Sequence, residues 1–159
     1  MRLIGNTICS ALFLTLAVGA QAGEKKLSKK NLPPAVLAAF QKTYPKADIK
    51  SAAEEKKDGK TTYEIESMDG KTARDLQYLA DGTVLEIEET IAITEIPGAT
   101  KAAVDGKYPK GKIVKVEKVT KGAAVSYDIE ITTGKGKVSM DVDASGKVLK
   151  ESKEKDKEK

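Results

Sequence analysis

The sequence has no His and no Trp, only two Phe, and a single Cys, Cys9. Without His it lacks the side chain that ordinarily exchanges protons near neutral pH, and with it the commonest zinc ligand and general base. One Cys excludes an intramolecular disulfide. Nucleophilic catalysis of the Ser-His or Cys-His type is thereby set aside, and carboxylate pairs are the general acid/base chemistry that is left. Apolar runs are short as well. The longest apolar segment, Ile8 to Val18, spans 11 residues, well under the roughly 20 that cross a bilayer as a helix. Arg2 precedes it, and the small-x-small triplet Ala20-Gln21-Ala22 follows. Residues 1–22 are therefore read as a secretory signal peptide cut after Ala22, which removes Cys9 and leaves a mature chain with no thiol and no membrane span.

The remainder of the 159 residues suits one domain or two small units, with 40% hydrophobic and 33% charged residues. The net charge of +4 sits at the ends: Glu24 to Lys30 carries four Lys and one Glu, while Asn31 to Lys150 carries 19 basic and 19 acidic residues. A neutral body with one Phe and five Tyr lacks the basic, aromatic-interleaved face of a nucleic-acid binder. Residues 23–31 read as a flexible Lys-rich leader. Residues 151–159, with no apolar side chain to bury, read as a disordered charged tail.

The body repeats itself. A shift of 64 positions aligns Pro33 with Pro97, Ala38-Ala39 with Ala102-Ala103, and Tyr44-Pro45-Lys46 with Tyr108-Pro109-Lys110. Without a gap it goes on to align Tyr63-Glu64-Ile65-Glu66 with Tyr127-Asp128-Ile129-Glu130, Gly70-Lys71 with Gly134-Lys135, and Val84-Leu85 with Val148-Leu149. Eighteen of the 55 positions from Leu32 to Glu86 are identical in the two copies, many of them tyrosines, prolines and turn glycines. This is the signature of a tandem duplication.

Each copy opens on a proline that a helix tolerates in its first turn. A helix follows, with an apolar stripe of Val36, Leu37, Phe40 and Tyr44 in copy one and Ala99, Ala103, Val104 and Tyr108 in copy two, closed by Pro45 and Pro109. Four strand-like runs come next, separated by Gly-containing turns such as Lys57-Asp58-Gly59-Lys60 and Ala144-Ser145-Gly146-Lys147. In the second run, Tyr63 and Ile65 alternate with Glu64 and Glu66, giving one buried and one wet face. The expected fold class is α+β: two tandem α-β-β-β-β repeats, 32–90 and 91–150, each a helix packed on an antiparallel four-stranded sheet. A unit of about 60 residues is marginal alone, so the copies are expected to share one sheet or core.

The order Leu-Pro, amphipathic helix, Tyr-Pro, Tyr-Glu-Ile-Glu strand and closing Ala-Asp-Gly-Thr-Val-Leu-Glu resembles the PepSY-like, β-lactamase-inhibitor-like family, in two copies. The resemblance covers nearly all of the body after residue 22. It implies an exported, noncatalytic, protein-binding module, inhibitor-like or chaperone-like toward an extracytoplasmic hydrolase, in the periplasm or outside the cell. No motif matches an inhibitory residue, so none is carried over.

The residues themselves offer three constellations. On the wet strand face the alternation places Glu64, Glu66, Asp75, Glu86, Glu88, Asp128, Glu130 and Asp141; Glu64, Glu66, Asp128 and Glu130 are the candidate partner-binding residues, suited to a basic protein surface. The same face offers an alternative as a weak calcium or cationic-ligand binder, and the Lys-rich leader another as the anchor of a structural envelope protein. Second, Asp141-Val142-Asp143-Ala144-Ser145-Gly146 copies the start of a calcium loop, making Asp141, Asp143 and Ser145 metal candidates. Position twelve of that loop is Ser152 in place of a bidentate Glu, and the flanks read as strands, so a hairpin turn is the expectation there. Third, a carboxylate-pair enzyme would need an acid in an apolar setting and a cleft; neither is visible, so no catalytic residue and no cofactor are assigned.

Overall fold

The computed structural model describes residues 23–155. One antiparallel sheet of nine strands runs through it as a meander, each strand pairing with its neighbours in chain order. The strands are β1 (Gly23–Leu27), β2 (Asp48–Lys57), β3 (Lys60–Asp69), β4 (Thr72–Tyr78), β5 (Val84–Thr90), β6 (Lys112–Lys121), β7 (Ala124–Thr133), β8 (Gly136–Asp143) and β9 (Val148–Lys155). Helix α1 (Pro34–Thr43) lies between β1 and β2, and α2 (Gly98–Lys107) between β5 and β6.

The expected helices and all eight expected strands recur with starts 64 positions apart: Pro34 and Gly98, Asp48 and Lys112, Lys60 and Ala124, Thr72 and Gly136, Val84 and Val148. The irregularities recur too. A register shift between Ile49 and Ser51 in β2 has its counterpart between Ile113 and Lys115 in β6, and one at Gln77/Tyr78 its counterpart at Asp141/Val142.

Two stretches differ from the sequence reading. The leader is ordered: Gly23–Leu27 pairs with β2 as an edge strand, and Lys29–Asn31 forms a 3-10 turn into α1. Its Leu27 sits opposite Ala52 and packs against the first core, which supplies the apolar anchor that a Lys-rich stretch otherwise lacks. The tail begins as sheet, since β9 runs to Lys155 against β8; backbone pairing holds it although its side chains are polar. The proposed signal peptide and residues 156–159 lie outside the described residues.

Partners across a ladder share a face, and the rows Ala52–Ile65–Leu76–Ile87–Thr120–Val125 and Val116–Ile129–Met140–Glu151 both lie on the side that carries the two helices. The sheet is shared; the core is not. Val36 and Phe40 of α1 pack with Ile65, Leu76 and Tyr78 in one cluster, while Val104 of α2 packs with Val116, Ile129, Ile131, Met140 and Val142 in another. The stripe of α2 also differs from the expected one: Thr100 and Val104 are its buried residues, and the Thr100 hydroxyl donates to the carbonyl of Asp143 at 2.8 Å. A polar residue can thus hold a core position that the apolar pattern passes over. With both helices on one side, the opposite side of the sheet is covered by no element of the described chain.

Candidate functional site

The open face takes its chemistry from strand alternation. The residues flanking Ile65, Leu76 and Ile87 point the other way and, Gln77 apart, are acidic, and the register sets them side by side: Glu66 opposite Asp75 and Asp75 opposite Glu88 in one row, Glu64 and Glu86 flanking Gln77 in the next. In the second half Glu117 faces Asp128, Asp128 faces Asp141, and Asp141 faces Lys150. Directly opposed like charges in an antiparallel ladder are destabilising, so the flanking lysines matter. Lys121 Nζ reaches Glu86 Oε1 at 2.8 Å, Lys115 reaches Glu117 at 2.7 Å, and Lys137 reaches Glu130 at 2.5 Å. Ser139 donates to Asp128 Oδ1 at 2.6 Å, and Gln77 donates to Glu55 Oε2 at 3.3 Å.

The four candidate partner-binding residues all lie on this face. Glu64 and Glu66 sit on β3, Asp128 and Glu130 on β7, four strands apart and so about 19 Å across the sheet at the usual strand spacing. Between them run Asp75, Glu88 and Glu117. Alternation in the sequence flagged the first two; Glu117 and Glu55 went unnoticed, although Glu117 follows the buried Val116 in an alternating strand that could have indicated it.

At the centre of the first half, carboxylate oxygens of Glu64, Glu66 and Asp75 lie within 4.8 Å of one another. Burial, then the neighbouring Asp75 and Glu55, push Glu64 up to about 8. Burial raises Asp75 to about 7, with Glu88, Glu66 and Glu117 adding to it against an opposing hydrogen bond from Glu64. Glu88 is likewise raised to about 7, first by burial and then by Glu117 and Glu86. Asp128 is raised by burial and by Asp141, with Ser139 opposing. The block therefore holds protons near neutrality that isolated carboxylates would have released. Chemically it is an acceptor surface, able to receive ammonium or guanidinium groups, and its three close carboxylates are of the oxygen-rich type that suits a hard cation.

The calcium-like segment is placed otherwise. Asp143 Oδ1 accepts from the Ser145 amide at 2.9 Å, the Ser145 hydroxyl at 2.6 Å and the Lys147 amide at 3.0 Å, and these bonds hold its carboxyl below its usual range. That oxygen closes the β8–β9 hairpin, as Asp81 Oδ1 closes the equivalent turn by accepting from Thr83 at 2.9 Å. Asp141 stands two residues earlier, opposite Asp128 and Lys150. Among the described residues, the group of three carboxylates close enough to share a cation is Glu64, Glu66 and Asp75. No helix of the described residues is long and apolar enough to cross a membrane.

Comparisons with solved structures recover this fold. A "putative periplasmic" protein of Bacteroides eggerthii superposes with a TM-score of 0.63 at 18% identity, over 76% of this chain and 88% of that one. A DUF2874 family protein of Bacteroides uniformis gives a TM-score of 0.62 at 18% identity, with the same coverage of 76% and 88%. For a BLIP-like protein of Bacteroides fragilis the TM-score is 0.59 at 21% identity, over 78% of this chain and 87% of that one. No curated protein matches the sequence. The family model described as "Putative beta-lactamase-inhibitor-like, PepSY-like" matches twice, at residues 20–86 and again at 61–150, so that both halves of the duplicated sheet are covered and the chain belongs to the PepSY-like, β-lactamase-inhibitor-like family.

Proposed function

We propose that this is an exported, noncatalytic module that binds another protein through the open face of its sheet. The observation that carries the reading is the uncovered face itself: both helices pack on one side, and in each half the other side sets half-buried carboxylates opposite one another on neighbouring strands. Membership of an inhibitor-like family agrees with it. The exported location rests on reading residues 1–22 as a secretory signal. The partner fitted to such a face is a protein with a lysine- or arginine-rich surface, met outside the cytoplasm; a hydrolase is the class that the family name suggests.

The test is affinity capture from the exported fraction with the parent chain and with a variant carrying Glu64→Lys, Glu66→Lys, Asp128→Lys and Glu130→Lys, both confirmed as folded by circular dichroism. A protein retained by the parent and released by the folded variant is the expected result. Equal capture by both would move the binding surface to the loops or the helical side.

A further inference from the structure

We propose that the free edge of β9 pairs with β9 of a second copy, joining two nine-stranded sheets into one about a two-fold axis at Ser152. The inference starts from the duplication. Strand β5 is the counterpart of β9, and β5 uses its outer edge: Ile87, Glu88, Glu89 and Thr90 pair with Thr120, Val119, Lys118 and Glu117 of β6. Shifted by 64 positions, the same four residues are Glu151 to Glu154 of β9. The edge that welds the first half to the second therefore recurs at the end of the sheet, and among the described residues no strand lies beyond it. An unpaired strand edge is a template for another strand.

The sequence of that edge selects its occupant. Read outward from Ser152, it has Glu151 and Lys153 on either side, then Lys150 and Glu154. Positions at equal distance from the centre carry opposite charge, which is what an antiparallel strand needs to face its own copy. Glu151 of each copy then meets Lys153 of the other, with Ser152 opposite Ser152. Lysines alone along an edge would repel a copy; here the alternation turns repulsion into cross-strand pairs of the favourable kind. Lys153 has 65% of its side chain exposed and contacts Glu151 of the same strand at 3.2 Å; Glu151, 16% exposed, is also held by Lys107 and accepts from the Tyr108 hydroxyl at 2.7 Å, so the partner's Lys153 would join an existing cluster. The other edge is less suited: about Lys25, the midpoint of β1, Glu24 would meet Lys26, but Lys25 would be set against Lys25 at the centre. A closed two-fold dimer also leaves no second β9 edge exposed. Glu64, Glu66, Asp128 and Glu130 take no part in it, so the pairing stands apart from the proposed binding residues.

Two measurements test it. Residues opposite each other in an antiparallel ladder have Cα atoms about 4.5–5.5 Å apart, within disulfide reach. In a Cys9→Ser background, Ser152→Cys is expected to give covalent dimers under mild oxidation, while Lys25→Cys stays monomeric. Failure of Ser152→Cys to cross-link, or its cross-linking to Lys25→Cys when the two variants are mixed, overturns the two-fold pairing. Sedimentation of the parent chain from about 10 µM to about 1 mM should show monomers giving way to dimers, weakened about tenfold by Lys153→Glu and not by Lys153→Arg, each checked for native circular dichroism. A monomer throughout that range overturns the proposal.

Discussion

Glu64 illustrates how a single position acquires unusual chemistry from ordinary surroundings. Its neighbours Ile65 and Tyr63 face the helices, so strand geometry turns its carboxylate outward onto a face already occupied by Glu66 and Asp75. Half-burial among like charges lifts it from an ordinary 4.5 to about 8, and Asp75 and Glu88 rise to about 7 beside it. In the unfolded chain these groups lose their protons near their ordinary values, whereas the folded chain keeps them to near neutrality. Between those limits the folded state binds more protons than the unfolded state, so stability must fall as pH rises from about 4 to about 8, in proportion to the proton difference. Water screens half-exposed groups, which brings the effect of any one of them to the order of 1 kcal/mol. Glu64→Gln is expected to raise the urea midpoint at pH 8.5 and to leave it nearly unchanged at pH 4, where the parent is already protonated. Equal midpoints for parent and variant at pH 8.5 would show that the face does not hold its protons.

The helices are fastened to the sheet by turns as well as by apolar side chains. Gly82 has φ +86° and Gly146 φ +90°, and a Cβ on either would come within 2.7 Å of a carbonyl oxygen in the first turn of a helix, that of Ala35 or of Ala99. No side chain fits that gap, and the positive φ is itself unfavourable for any other residue. Gly82→Ala should therefore cost about 2–3 kcal/mol by urea denaturation, against about 1 kcal/mol for Gly59→Ala, whose φ of +74° is also positive but whose Cβ would meet nothing within 4 Å. Equal costs would mean that the helix shifts freely to make room. These turns were legible as glycines at matched positions, and Val36 and Phe40 were legible as a helical stripe, because both signals are local. Thr100 was not. Its burial depends on a carbonyl three strands into the second half, Asp143, which receives its hydroxyl. Nor was β1, since five residues with one apolar side chain show strand character only when β2 supplies the ladder. Of the candidate site, alternation revealed which acids share a face, but their spacing and shared protons depend on register, which no single strand encodes.

Across the whole molecule, two separate cores hang from one continuous sheet, and the connection between them is narrow. The ladder from Ile87–Thr90 to Glu117–Thr120 joins the halves, helped by the bond from the Ile91 amide to the Val116 carbonyl at 3.1 Å. On the helical side Glu89 and Lys118 are opposed across this seam, and on the open side Glu88 faces the buried Val119. A half released from its neighbour would expose that ladder and the apolar side chains beneath it, and a domain of about 60 residues has little stability to spare for such a loss. The halves should therefore unfold together. Phe40→Ala, which removes a side chain only 1% exposed from the first core, is expected to cost about 3–5 kcal/mol. If the sheet couples the cores, native-state hydrogen exchange will show amides of β7 and β8 losing protection by the same amount as those of β3 and β4. Loss confined to β2 through β5 would mean that the seam opens first and that each core stands by itself.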